Sequence, residues 1–404
     1  MAFRVKKCFH AVGNGTLFSG QIQNIQNSEV FNWLYDCGCT SPKIIQNAIT
    51  NLPAWFHSHN TIDMLVISHF DDDHVNGLEI LLKTFNVKRL VLPFTEWSQS
   101  IREISILGKK GTTPSIALFQ LNPVKWLKLN GFENRINEII LVEGGENPDS
   151  DILQSNINLV DRPDLPIEDP TSVFFEFDTP VQYSNIKLSK MNHFQSYQDS
   201  SKSFEFMFYN AEKSFSELGL IYEVGGKRFA KKSGQEISSV KADIEKTIIS
   251  LGLDQHINNL QKDWRKKLKN CYEKHFGKTG KAKNNISLCM YSAPAEINSS
   301  PYRTRFATLL TGDINLSPKV IDDMELHFGK NRWQSIGVVQ VPHHGSKYSW
   351  TVGNTAKLMP AIFVHCANPT IKHPHPDVKA DLQNSTAIVF EANRKLSVDY
   401  NFRY

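Results

Sequence analysis

The sequence has few cysteines, no long apolar run and no large excess of charge of one sign. Six cysteines in 404 residues are too few for a disulfide framework, which favours reduced thiols. No apolar stretch reaches the roughly 18 residues that would span a bilayer, and the N-terminus shows no apolar segment typical of a secretory signal. With 40% hydrophobic and 21% charged residues, a disordered chain is also excluded. We therefore expect a folded, cytoplasmic protein.

The net charge of +4 conceals one basic block. Residues 225–283 contain 15 lysines and arginines against six acidic residues, an excess that can attract polyanions. Within this block Arg265, Lys266, Lys267 and Lys269 surround Trp264, and such charge beside a stacking surface suits single-stranded nucleic acid. A solvated helix face with a core tryptophan has the same pattern. Both interpretations stay open at this point.

Alternating apolar runs and helical patterns predict α/β layers. Short apolar runs predict strands at residues 5–12, 31–36, 64–67, 89–93, 204–209, 286–291, 308–310, 338–341 and 362–365. Ser-Pro pairs at 41–42 and 317–318 are typical helix starts, because proline is favoured at the first helical position. No fixed-period repeat is found.

The middle of the chain has a different composition. Residues 143–180 contain ten acidic residues and five prolines, which indicates an irregular connection. Residues 238–276 carry apolar side chains at spacings of three and four and are therefore predicted to be helical. We predict one core domain formed by residues 1–142 and 284–404. Residues 143–283 are then an inserted cap, made of an acidic loop and a basic helical part.

A dense set of metal-binding side chains follows the predicted strand 64–67. His69, Asp71, Asp73 and His74 lie within six residues at its carboxyl end, where α/β folds place ligands. Two imidazoles and two carboxylates suit Zn²⁺, Mn²⁺ or Fe²⁺. A capped polar loop is the structural alternative, with Asp73 as the cap, but so many acidic groups would repel one another without a cation. The motif therefore predicts a metal site.

Three further predicted strands end in potential ligands. Asp313 follows the strand at 308–310, His343 and His344 follow the strand at 338–341, and His373 follows the strand at 362–365. Any one of them is weak support, because an aspartate at a strand end more often caps a helix. Together they indicate that four strand ends deliver ligands to one centre.

The order and spacing of these motifs resemble a known family. The segment His69-x-Asp71-x-Asp73-His74 resembles the signature of the metallo-β-lactamase superfamily. Its combination with Asp313 in Thr-Gly-Asp, with His343-His344-Gly-Ser and with His373-Pro is similar to the hydrolase domain of ComEC-like competence proteins and their free-standing relatives. The resemblance does not cover residues 143–283. It implies an αββα sandwich with one or two divalent ions at one edge, Zn or Mn with Fe as a further option.

Two positions depart from the commonest superfamily pattern. Asp71 stands where a second histidine is usual, and no histidine precedes the strand before Asp313, around residues 285–287. Both departures also resemble the ComEC-like group. The first metal position is therefore expected to have fewer ligands than in lactamases.

Metal chemistry suggests a role for each side chain. The predicted metal ligands are His69, Asp71, Asp73, His74, Asp313 and His343. The predicted catalytic residues are Asp73, which orients the attacking water, His344 near the substrate, and His373, which donates a proton to the leaving group or stabilises the developing oxyanion. Ser346 and Lys347 are predicted to contact the substrate, with Lys347 meeting a phosphate as a point charge.

Three functions remain for such a site. The resemblance favours a metal-dependent phosphodiesterase or nuclease, since the ComEC domain is thought to degrade DNA, and nucleic acid or another phosphodiester is then the substrate. The first alternative is a hydrolase of small esters, nucleotides or lactones, with the cap closing over the pocket. The second is a binding module, non-enzymatic or controlled by a protein partner on the cap. A closed pocket would favour the small substrate, and an open basic groove the nuclease.

Overall fold

The fold is taken from a computed structural model of the chain. The structure describes residues 2–57, 59–94, 97–107, 113–144, 165–166, 174–175, 186–211, 223–224, 227–228, 234–255, 260, 262–276, 287–295, 305–369 and 373–404. Among these residues, none of the helices has the length and apolar character needed to cross a membrane.

Strands and helices alternate along most of the chain. The strands are β1 (Phe3–Phe9), β2 (Gly15–Asn24), β3 (Val30–Cys39), β4 (Thr61–Ile62), β5 (Met64–Val66), β6 (Asn86–Pro93), β7 (Ile136–Glu143), β8 (Leu165–Pro166), β9 (Lys187–Asn192), β10 (Ser196–Gln198), β11 (Phe204–Tyr209), β12 (Glu223–Val224), β13 (Lys227–Arg228), β14 (Cys289–Pro294), β15 (Ala307–Leu310), β16 (Ile336–Val341), β17 (Ile362–Cys366), β18 (Ile388–Ala392) and β19 (Val398–Arg403). The helices are α1 (Pro42–Trp55), α2 (Asp72–Val75), α3 (Leu78–Thr84), α4 (Trp97–Arg102), α5 (Pro114–Leu121), α6 (Pro123–Leu129), α7 (Gly234–Ser250), α8 (Trp264–Phe276), α9 (Pro318–Phe328), α10 (Lys330–Ser335), α11 (Asn354–Leu358) and α12 (Pro376–Gln383). A π-helical turn spans Glu103–Leu107, and a 3₁₀ turn spans Pro342–Gly345.

Two large sheets form the centre of the molecule. The first has the strand order β19-β1-β2-β3-β5-β6-β7-β9-β8, and the second has the order β10-β11-β14-β15-β16-β17-β18. Strands β3, β5, β6, β7 and β9 are mutually parallel, as are β15, β16, β17 and β18. Parallel strands place their carboxyl ends at the same edge of a sheet, so loops after β5, β15, β16 and β17 can meet.

Three layers of apolar side chains hold the sheets and helices together. Alternate residues of β3 face opposite sides of the first sheet. Trp33 and Tyr35 face the second sheet and pack in the layer that contains Phe206 and Val364. Leu34 of β3 faces the other way, into the layer beneath helices α1 and α3. A third layer lies between the second sheet and helices α9 and α12. The structure is therefore an αββα sandwich, which confirms the predicted fold class.

Part of the predicted insert 143–283 lies within the sandwich. Strand β9 pairs with β7 in the first sheet, and β11 pairs with β14 in the second. Burial explains this placement, because Leu188 and Met191 of β9 and every residue of β11 are buried. Helices α7 and α8 lie outside the two large sheets and pack against each other, and α8 also packs against α4 and the π-helical turn. We propose that these two helices are the cap.

Other predictions for the middle of the chain can be compared only in part. The helical pattern at 238–276 corresponds to α7 and α8. Most of the acidic connection at 143–180, and several residues of the basic block at 225–283, lie outside the described residues.

Candidate metal centre

Four strand ends meet at one edge of the sandwich. His69 follows β5 of the first sheet, and α2 begins at Asp72 directly after it. Asp313 follows β15, the His343-His344 turn follows β16, and His373 follows β17. The local geometry is tight at Gly38 of β3, which faces the backbone of α2. The fold thus brings together side chains up to 300 positions apart.

The side chains face one another through the Nε2 atoms of the histidines and the carboxylate oxygens of Asp313. His74 Nε2 lies 3.2 Å from Asp313 Oδ1, and His69 Nε2 lies 3.7 Å from Asp313 Oδ2. His343 Nε2 is 3.5 Å from the same Asp313 Oδ2. These separations are typical of neighbouring ligands around one ion, because Zn–N and Zn–O bonds are about 2.0–2.2 Å long. Asp313 therefore lies between three imidazoles.

A second group shares His74 with the first. His344 Nε2 lies 3.2 Å from Asp73 Oδ2, and the ligand atoms of Asp73, His74 and His344 all lie within 4.8 Å of one another. Asp71 lies further out, with Oδ2 3.8 Å from His69 Nε2 and a side chain that is 46% exposed. Two adjacent groups of ligands fit one or two ions.

Each of the four histidines has its outer ring nitrogen next to an oxygen. The Nδ1 contacts are His74 to Asp36 Oδ2 at 2.7 Å, His344 to the Cys366 carbonyl at 2.7 Å, His69 to Ser68 Oγ at 2.9 Å and His343 to Ser349 Oγ at 3.0 Å. Oxygen acceptors hold a proton at Nδ1 and so direct Nε2 toward the centre, where it can bind an ion in place of a second proton. Metal-binding histidines are oriented in this way.

Asp36 is the important residue that the motifs did not identify. Its carboxylate is fully buried, accepts hydrogen bonds from the Ser68 amide at 2.6 Å and the Ser68 hydroxyl at 2.7 Å, and pairs with His74. The available signal was an aspartate at the end of the apolar run 31–36. Ser349, the Cys366 carbonyl and Ser287, whose Oγ accepts from the Asp313 amide at 3.0 Å, were missed as well.

Burial and neighbouring charges shift the pKa values of His69, His74 and Asp313 at the centre. Burial lowers the pKa of His74, but Asp313 and Asp36 outweigh it and raise the pKa well above the usual value. Burial would raise the pKa of Asp313, but His343 and His74 hold it well below the usual value. Burial, reinforced by His74, lowers the pKa of His69 to about 4. His69 is therefore neutral at pH 7, with a lone pair available for a cation.

The donor set fits a divalent ion. Within the described part of the chain, three buried atoms of the centre make no hydrogen bond: His69 Nε2, His74 Nε2 and Asp313 Oδ1. Buried polar atoms without a partner are costly, typically about 1–3 kcal/mol each. One ion would satisfy all three, and imidazole with carboxylate is a donor set suited to Zn or Mn.

The turn that carries two of the histidines has an unusual backbone. His343 and His344 have φ values of 48° and 55°, in the left-handed region, and Gly345 follows at 78°. For residues other than glycine such conformations cost on the order of 1–3 kcal/mol and cluster at functional sites. A Cβ on Gly345 would lie 2.7 Å from Pro374, so the turn packs directly against the loop of His373.

The predicted substrate residues lie next to this turn. The His373 ring stacks on that of His343, with centroids 6.2 Å apart. Ser346 is buried, and its Oγ accepts a hydrogen bond from the Tyr348 amide at 3.3 Å. Lys347 is exposed, with Nζ 5.4 Å from the centre of the Tyr348 ring. Their proposed roles remain predictions.

The basic residues lie on α8. Trp264 is 8% exposed and packs in the core beneath the helices, as a core tryptophan does. The four predicted nucleic-acid contacts are Arg265, which stacks on Trp264 at 4.8 Å, the exposed Lys266, Lys267, which pairs with Asp263 at 3.4 Å, and Lys269, which pairs with Glu273 at 3.7 Å. Arg265 also interacts electrostatically with Asp72. The charge of Arg265 therefore acts on the helix that carries the motif.

Replacing Asp36 with asparagine should weaken metal binding. The change keeps the size of the side chain but removes the charge that orients His74, and losses of this kind typically cost about 10–100-fold in metal affinity. Competition with a chromophoric chelator would measure it. Asp63→Asn is the matched control, because Asp63 is also buried but pairs with Lys88 at the amino end of β5. Equal affinity in wild type and Asp36→Asn would contradict this orienting role.

Comparisons with known proteins give only distant structural matches. No protein-family model matches the chain, and no curated protein matches it in sequence. The structure is similar to the metallo-β-lactamase fold protein YhfI from Bacillus subtilis, at 8% identity and a TM-score of 0.37, over 98% of this chain and 99% of that chain. It is also similar to a long form RNase Z from yeast, at 10% identity and a TM-score of 0.34, over 98% of this chain and 37% of that chain. The functional argument therefore depends on the site itself.

Proposed function

We propose that the protein is a metal-dependent hydrolase of the metallo-β-lactamase superfamily, similar to the ComEC-like group, that cleaves phosphodiesters in nucleic acid. The observation that carries the proposal is the convergence of four imidazole Nε2 atoms on two carboxylates. Structural histidines rarely all have Nδ1 bound to oxygen and Nε2 turned toward a shared acidic centre, whereas metal-binding histidines do.

The ligand groups define where ions would bind. His69, His74 and Asp313 form the first group, and Asp73, His74 and His344 form the second. His343 and Asp71 border the first group at 3.5 Å and 3.8 Å from their nearest members. A divalent ion held by these residues supplies a Lewis acid that polarises a phosphoryl oxygen and lowers the pKa of a bound water.

The surrounding residues can orient the reactants. Burial would raise the pKa of Asp73, but the hydrogen bond from His344 and the charge of His74 hold it below the usual value, so it is a carboxylate at pH 7. Its side chain is 25% exposed, so its oxygens can accept a hydrogen bond from a water on the open side. We propose that His373, stacked on His343, gives a proton to the leaving oxygen. The exposed Lys347 can contact a substrate phosphate.

An activity panel on metal-loaded protein tests this function. The substrates are single-stranded DNA, duplex DNA, RNA and a small chromogenic phosphodiester, each with Zn²⁺ and Mn²⁺. We expect cleavage of at least one nucleic acid that stops on chelation and returns with metal. Turnover of small esters or lactones alone would favour the small-molecule alternative. No turnover with any substrate by protein that holds metal would favour the partner-regulated or non-enzymatic alternative.

The basic face of α8 should contribute to nucleic-acid binding. Converting Lys266, Lys267 and Lys269 together to glutamine should weaken nucleic-acid binding at low salt. For duplex, the slope of the log association constant against log salt concentration should also become shallower by about 2–3. The reason is that each neutralised phosphate releases counterions. Fluorescence anisotropy over a salt series measures both effects, and hydrolysis of the small phosphodiester should stay unchanged.

A control variant on the opposite side of the sandwich tests whether the position of the lysines, and not only the loss of net charge, determines nucleic-acid binding. Lys319, Lys330 and Lys379 are exposed residues of α9, α10 and α12, which cover the second sheet. Their conversion to glutamine removes the same charge and should alter binding much less. Equal effects of the two triple variants would mark the α8 face as an ordinary solvated helix surface.

A further inference from the structure

Helices α7 and α8 bring together a second set of metal-binding side chains, apart from the four strand ends. Asp243 lies on α7, and Cys271 and His275 lie on one face of α8, four residues apart. One ligand atom of each residue lies within 4.8 Å of the other two. His275 Nε2 is 2.6 Å from Asp243 Oδ2. A thiol, an imidazole and a carboxylate therefore meet between two helices.

This set lies at the rim of an apolar core. Ile244 of α7 and Leu268 of α8 are fully buried and hold the two helices together. Cys271 packs against the same core and is only partly exposed, and Thr247 Oγ lies 3.2 Å from its sulfur. The position of the three ligands is thus determined by helix packing and not by mobile loops.

We propose that Asp243, Cys271 and His275 bind one divalent transition ion of the Zn²⁺ type, with a water as the fourth ligand. Zn²⁺ accepts thiolate, imidazole and carboxylate in tetrahedral sites, with Zn–S about 2.3 Å and Zn–N and Zn–O about 2.0–2.2 Å. Tetrahedral ligands at those bond lengths are about 3.3–3.8 Å apart, so small side-chain rotations within the observed cluster are sufficient. The ion would link α7 to α8.

Binding changes the protonation of the cluster in a defined way. Burial raises the pKa of Cys271, so its thiol is protonated in the free protein. The ion binds the thiolate, and the thiol proton is released to solvent. The hydrogen bond that His275 Nε2 donates to Asp243 Oδ2 is replaced by two bonds to the ion, and the neutral imidazole carries its proton on Nδ1 instead. Lys274, whose Nζ lies 2.9 Å from the same Asp243 Oδ2, would move its contact to Oδ1 when Oδ2 binds the ion.

The ion would also stabilise α8, the helix that carries the basic residues. Arg265 lies near the start of the same helix, α8, and interacts with Asp72 beside the metal motif. A link between α7 and α8 therefore stabilises the position of the basic face relative to the site. This inference does not depend on the proposed hydrolysis.

Cobalt substitution tests the site, because only a cysteine ligand gives Co²⁺ an intense thiolate charge-transfer band in the near ultraviolet. The histidine and aspartate centre has no cysteine among its proposed ligands and should contribute no such band. We expect wild-type protein titrated with Co²⁺ to show the band, and Cys271→Ser and His275→Ala to lose or greatly weaken it. Cys39→Ser should keep it, which would exclude a thiol that lies close enough to Asp73 of the other centre to feel its charge.

Zn²⁺ stoichiometry and thermal melting complete the test. Cys271→Ser should bind about one equivalent less Zn²⁺ than wild type and lose part of the Zn²⁺-dependent rise in melting temperature. Asp263→Asn, which removes an exposed carboxylate next to α8, should behave as wild type. No thiolate band in folded wild-type protein, or a band that survives Cys271→Ser, would overturn the proposal and leave the cluster as an ion pair.

Discussion

Replacement of Asp73 with alanine should abolish hydrolysis and leave the fold intact. Asp73 lies on the short helix α2 and accepts the hydrogen bond of His344 at 3.2 Å, so its loss removes a proposed ligand and the group proposed to orient the attacking water. Removing one preorganised electrostatic group typically costs about 10²–10³-fold in rate, and loss of the second ligand group should add to this. Turnover of the best substrate in the panel measures the effect.

The adjacent Asp72 provides a matched control. It lies on the same helix but points toward Asn76 Nδ2, at 3.5 Å, and not toward the imidazoles. Asp72→Ala should therefore keep wild-type turnover within a fewfold. Melting temperatures of both variants close to wild type would show that the loss is chemical and not structural. An Asp73→Ala variant that retains wild-type turnover would contradict the assignment of Asp73.

Replacement of Gly38 with alanine should disrupt both the stability and the metal centre. A Cβ at Gly38 would lie 2.5 Å from the backbone carbonyl carbon of Asp73 and 2.5 Å from the backbone nitrogen of His74. These backbone atoms cannot rotate away as a side chain could, so α2 must move. Overpacking in a core typically costs about 1–3 kcal/mol, and we expect the upper end of this range or more. Denaturant unfolding and metal stoichiometry measure the two effects.

Gly131→Ala separates this contact from the general cost of replacing a glycine. Gly131 lies in a turn with φ of 70°, and a Cβ there would have no atom within 4 Å. That variant should lose a smaller amount of stability and keep its metal. If Gly38→Ala bound metal as wild type does, the tight packing of β3 against α2 would not be required for the centre.

Many elements follow directly from local patterns. The apolar runs at 204–209, 338–341 and 362–365 correspond to β11, β16 and β17, because strands buried on both faces are continuously apolar. The Ser-Pro pair at 317–318 correctly marks the start of α9, where Ser317 Oγ accepts from the Val320 amide. These signals are encoded within a few residues, so no knowledge of partner elements is needed.

The assignment of middle segments to sheets could not be made in the same way. Residues 187–192 read Lys-Leu-Ser-Lys-Met-Asn, which is neither strongly apolar nor strictly alternating, yet they form β9. Their strand conformation depends on pairing with β7, which supplies backbone hydrogen bonds and burial from about fifty residues away. Strand propensity predicts such segments poorly, because tertiary pairing determines their conformation.

One part of the candidate site is also predictable from local sequence, and another part depends on tertiary packing. The ligand types at His69, Asp73 and His74 and their position after an apolar strand are properties of a few consecutive residues, and the sequence alone was sufficient to nominate them. Their biochemical roles stay predictions until the activity and metal measurements are made. The tertiary structure alone decided that Asp36 pairs with His74 and that Asp243 meets Cys271 and His275, since these contacts join distant segments. The types of ligand are encoded in a few consecutive residues. The contacts between distant residues depend on which strands and helices pack together.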